Sequence, residues 1–138
     1  MQVVTRAALI QEARTWIGTR YMDGQRTKGV GVDCLGLVLA VAKDMGCGDF
    51  DCQEFRAAQW RKDIVQQLES FCGPQVEQAP GTIQVMQFFK LARHIVIRTE
   101  VDSIIHAYTS GEIVIEHVVP ESWEDRFIAT FNFPGVVS

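Results

Sequence analysis

No apolar run in this 138-residue chain approaches the ~20 residues needed to cross a bilayer, so membrane insertion is not expected. The opening residues, Met1-Gln2-Val3-Val4-Thr5-Arg6, lack a basic region followed by an apolar core, and no export signal is expected. Lysine and arginine are never gathered into a stripe and the net charge is −4, which argues against nucleic acid as a partner. Low-complexity tracts, repeats and linkers are absent, which makes residues 1–138 read as a single domain. Paired CxxC motifs are absent too. Cys47 and Cys52, in Cys-Gly-Asp-Phe-Asp-Cys, read as loop thiols, and the four cysteines of an unexported chain read as reduced rather than as a disulfide framework.

What is present is a folded composition, 47% hydrophobic and 22% charged. Thr5 can cap a helix over 6–17, with Leu9, Ile10, Ala13, Trp16 and Ile17 at helical spacing and Gly18 as its stop. Residues 19–32, with Gly24, Gly29 and Gly31, read as a loop leading to a buried helix over 34–45. A third helix is expected over 53–71. Beyond Thr82 the pattern turns to short Val-, Ile- and Phe-rich strands at 83–89, 94–98, 104–109, 113–118 and 127–133, with a helical turn at Pro120-Glu121-Ser122-Trp123. Helices followed by consecutive strands predict an α+β fold with an antiparallel sheet of about five strands.

Asp33-Cys34-Leu35-Gly36-Leu37 stands where the loop becomes the buried helix. A thiol there meets the positive end of the helix dipole and its backbone N–H groups, which favour the thiolate, and an imidazole nearby favours it further. A lone cysteine before a helix is otherwise a small buried hydrophobe. His94 and His106, twelve residues apart, change that weighting. A hairpin turning about Glu100 sets His94 opposite His106 on one sheet face, with Ile95, Ile97, Ile105 and Ala107 on the other. Taken without the cysteine, the two histidines fit a solvated face equally well. His117, at a strand end after Glu116, reads as surface. Cys34 as nucleophile, His94 as base and His106 as the residue orienting His94 make a thiol hydrolase, with the Cys34 N–H as an oxyanion donor. Zinc on the same three residues lacks a further acid for proton transfer, so no metal or cofactor is expected.

The motifs Ala13-Arg14-Thr15-Trp16-Ile17-Gly18-Thr19-Arg20-Tyr21, Gly31-Val32-Asp33-Cys34-Leu35-Gly36-Leu37, Ala92-Arg93-His94-Ile95-Val96-Ile97 and Ile104-Ile105-His106-Ala107, in this order, resemble the NlpC/P60 cysteine peptidases, in particular their phage and prophage tail forms. The resemblance implies a papain-like fold and Cys34, His94 and His106 as the catalytic residues. It also implies Tyr21, Asp33 and Leu35 on the substrate side, and peptidoglycan stem peptides as substrate, cut at the D-glutamyl-diamino acid bond. Leu35 replaces a serine common in the family, Gly81-Thr82 a Gly-Asp, and Arg20 a proline. No wall-binding repeat is seen, so the resemblance points to phage tail proteins as partners and to the virion tail or the cell wall as the place of action. A tail-assembly component that keeps the fold with little or no catalysis, and an enzyme acting on another amide or ester, remain open alternatives.

Overall fold

The computed structural model describes residues 4–48, 60–88, 93–108 and 112–137. Its elements are β1 (Val4–Thr5), α1 (Arg6–Arg14), β2 (Arg26–Thr27), β3 (Gly31–Val32), α2 (Cys34–Asp44), α3 (Trp60–Cys72), β4 (Thr82–Gln87), β5 (Arg93–Arg98), β6 (Ser103–Tyr108), β7 (Ile113–Val118), a 3-10 helix (Glu121–Arg126), β8 (Phe127–Asn132) and β9 (Val136–Val137). Five strands form an antiparallel sheet in the order β7-β6-β5-β4-β8. The α+β expectation is met, and the 3-10 helix falls at the predicted turn. Cys52, the expected helical residues 53–59 and the strand ends Phe89 and Thr109 lie outside the described residues.

Local chemistry accounts for the helix ends. Thr5 Oγ1 accepts from Ala8 N at 3.1 Å, the N-cap bond its position predicted, but α1 stops at Arg14 and residues 15–18 continue as turns to Gly18 at φ +91°. The Tyr21 segment is less loop-like than its glycines imply. β2 and β3 pair as a small hairpin, Tyr21 bridges Val32, and Arg20 bridges Ile113 at the edge of the sheet. The pairing of β1 with β9, which joins the two ends of the described chain, left no mark in the sequence pattern.

The sheet separates two apolar layers. On one side Leu37, Val38 and Val41 of α2 and Ile64 and Leu68 of α3 pack with Ile83, Val85, Ile95, Ile97, Ile105 and Phe131 in the main core. On the other, Met86, Val96, Ile104 and Val119 form a smaller cluster covered by Phe88, Trp123 and Phe127. The second layer carries the histidines, because polar and aliphatic residues alternate along β5 and β6. Helix α2 packs on β5 and β6, the strands that bear His94 and His106.

Candidate active site

Cys34 is the first residue of α2 and is buried. Asp33 caps the helix, its carboxylate accepting from Gly36 N at 2.6 Å, while its second oxygen accepts from Gly24 N at 2.7 Å. One side chain thus fixes both the helix start and the loop over it. Gly36 is required by that closeness, since a Cβ there would lie 2.7 Å from the Gln25 carbonyl oxygen and 2.9 Å from Asp33 Oδ1. Two of the residues expected on the substrate side stand at this helix start. Asp33 is committed through both oxygens to backbone N–H groups, and Leu35, 3% exposed, is part of the main core. Tyr21 is half-buried, with its hydroxyl donating to Asp23 Oδ1 at 3.2 Å and its N–H to the Glu112 carbonyl at 2.8 Å, so the loop is tied to the β7 edge.

The His94–His106 pair forms, by a register other than the expected one. Ile97 pairs with Ile105 and Arg98 with Ile104, which moves the turn centre from Glu100 to Val101. This shift of two leaves every side chain on its face and makes the histidines diagonal rather than directly opposed. Diagonal rings are within reach of each other. His94 Nε2 lies 2.6 Å from His106 Nδ1, with ring centroids 4.9 Å apart.

His117 is not a partnerless surface residue. Ile104 pairs with His117 and His106 with Ile115, so His117 is diagonal to His106 on the same face, and their Nε2 atoms are 2.9 Å apart. Its Nδ1 meets the Val118 carbonyl oxygen at 2.8 Å. The three imidazoles therefore step across β5, β6 and β7. Tyr108 stacks on His106 at 4.9 Å, and Trp123 stands edge-on to His106 at 6.0 Å and to His117 at 5.6 Å. Burial, followed by the neighbouring imidazoles His94 and His117, pushes the His106 pKa down to about 2. His106 is thus a neutral ring.

The other described thiols are unlike a nucleophile. Burial raises the Cys47 pKa, and burial with Cys47 nearby pushes Cys72 up to about 12. Among the described residues no group of three or more His, Cys, Asp or Glu side chains is placed to hold a metal ion. Sequence reasoning missed His117, Tyr108 and Trp123. The available signal was the even spacing of His117 from a β6–β7 turn, which needs the register to be read.

No protein-family sequence model matches the chain, and no curated protein matches it by sequence. Solved structures do match its fold. NlpC2 from Trichomonas vaginalis aligns over 93% of this chain with a TM-score of 0.71 at 19% identity, and an NlpC/P60 family protein from Bacillus cereus over 94% with 0.71 at 15%. This chain spans 46% and 40% of those two proteins, less than half of each. The NlpC/p60 domain of the peptidoglycan hydrolase SagA aligns over 94% of this chain and 99% of that domain, with a TM-score of 0.64 at 20% identity. With helices on one face of a five-stranded antiparallel sheet and a cysteine opening the central helix, the chain has the papain-like fold of NlpC/P60 domains.

Proposed function

We propose that this chain is a cysteine peptidase that hydrolyses peptidoglycan stem peptides, at the bond between D-glutamate and the diamino acid, in a phage or prophage tail. The observation that carries the enzymatic reading is the His94–His106 contact on strands that pack against the helix opened by Cys34. The SagA domain supports the wall as substrate through its fold, and the sequence resemblance supports the bond and the tail.

In this reading the Cys34 thiolate adds to the scissile carbonyl carbon, and the developing oxyanion is met by backbone N–H groups at the start of α2. The C–N bond then breaks, the amine leaves with the proton held by His94, and a thioester remains on Cys34. Water, deprotonated by His94, hydrolyses that thioester and restores the thiolate. His106, neutral and buried, accepts from His94 and holds its ring in place.

Two measurements test this. Intact protein should release new amino groups from sacculi of at least one wall chemotype, and Cys34→Ala should abolish the release; equal release by Cys34→Ala ends the proposal. In site-resolved alkylation by iodoacetamide, Cys34 should react fast below the ordinary thiol range of ~8.5, and His94→Ala should remove that advantage. Cys47 and Cys72, with raised pKa values, should react slowly throughout. A Cys34 no faster than Cys47 favours the non-catalytic tail component.

A further inference from the structure

We infer that His117 is a positioning residue that fixes the proton order of the whole imidazole row, and with it which nitrogen of His94 is basic. This rests on the reading of His94 as the base. A carbonyl oxygen only accepts, so the 2.8 Å contact with Val118 requires a hydrogen on His117 Nδ1. In a neutral His117 the other nitrogen, Nε2, is then an acceptor. The 2.9 Å contact with His106 Nε2 therefore places a hydrogen on His106 Nε2. His106 is held neutral by its burial, so its Nδ1 has no hydrogen and accepts. Across the 2.6 Å contact His94 must donate from Nε2, which leaves Nδ1 as the basic nitrogen of its neutral ring.

Replacing His117 removes the acceptor that selects this tautomer at His106 Nε2. The alternative form, with hydrogen on His106 Nδ1, would donate to His94 Nε2 and put the hydrogen of neutral His94 on Nδ1, the wrong nitrogen for a base. Trp123 packs edge-on to both His106 and His117 and limits the rotations by which the rings could escape this order. Glu116, next to His117 in sequence, points to the opposite face. There it accepts from Arg14 at 2.9 and 3.0 Å, so it does not compete for the His117 ring.

The test is imidazole NMR on the full chain labelled with nitrogen-15 histidine, in alkaline buffer where imidazoles are neutral, paired with the Cys34 alkylation rate. Wild type should show hydrogen on Nε2 of His94 and His106 and on Nδ1 of His117. His117→Phe keeps a ring of similar bulk but no acceptor; it should mix the His106 and His94 tautomers and slow Cys34 alkylation by about tenfold or more. His117→Gln, whose side-chain carbonyl can accept from His106, should restore both. Hydrogen on Nδ1 of His106 in the wild type, or His117→Phe spectra with unchanged tautomers, overturns the inference. If the tautomers are as stated but His94→Ala alkylates as fast as wild type, the base reading fails and the histidine order is upheld.

Discussion

A buried imidazole that cannot take a proton ties stability to pH. His106 has its pKa pushed from 6.5 down to about 2, chiefly by burial, whereas in the unfolded chain the same ring binds a proton near its ordinary value. As pH falls below 6.5 the unfolded state takes up a proton that the folded state refuses, so stability is present above that value and is lost toward the folded one. The loss reaches about 1.4 kcal/mol per pH unit once the unfolded ring is charged. Urea midpoints taken from about pH 7 to about pH 5 should fall for wild type and change less for His106→Gln, by the linkage of protonation to folding. Glu116, held below its ordinary 4.5 by the Arg14 hydrogen bond, contributes its own loss only at more acid pH. Equal pH dependence in the two proteins would show that His106 titrates normally in the folded state.

At the level of elements, Asp33 and Gly36 make the start of α2 a fixed point. Asp33→Ala removes both the cap and the bond to Gly24, and a loss of about 1–3 kcal/mol in chemical unfolding is expected. Gly36→Ala would press a methyl group against the Gln25 carbonyl, a backbone atom that moves only with its loop, and should cost about 1–3 kcal/mol. Wild-type stability in Gly36→Ala would mean that the loop yields freely. These constraints were half legible in the sequence. Asp33 was read on the substrate side and not as the cap of α2, although Asp before an apolar helical run is a capping signal, and the Gln25 carbonyl against Gly36 is a tertiary contact with no local signature. The five strands of the main sheet and the helices were legible from their periodicity, and Thr5 and the turn at Trp123 from local chemistry, but the end of α1 at Arg14 and the short strands β1, β2, β3 and β9 were not. The β5–β6 register was not, because a shift of two preserves the inward and outward pattern, and only turn geometry separates the two pairings. His117 was misread for the same reason: its partner is set by register, while its neighbours in sequence, Glu116 and Val118, are those of an exposed strand end.

For the whole molecule, the two faces of the sheet carry different loads, the helix core on one and the imidazole row on the other, with Cys34 opening a helix of the core side. Phe131 is fully buried in the core shared with α2 and α3, whereas Trp123 is half-buried over the imidazoles on the opposite side. Phe131→Ala should therefore lose about 3–5 kcal/mol of stability, with little change in Cys34 alkylation while the protein remains folded. Trp123→Ala should show the reverse balance, a smaller loss of stability and a slower thiol. Thermal unfolding and alkylation on the same samples read both; a Trp123→Ala protein that loses more stability than Phe131→Ala would dissolve the division.

The last acceptor in the imidazole row is not a side chain but the Val118 carbonyl. The polarity of the three rings is therefore inherited from the direction in which the main chain leaves β7, and no substitution at position 118 can erase it short of proline-like distortion of the strand end. Replacing the 118–119 amide by an ester would weaken that carbonyl as an acceptor with every side chain kept, and would also remove the Val119 N–H that donates to the Asp102 carbonyl at 2.7 Å. The proton order of the site is, in that sense, written in the backbone and only read out by the histidines.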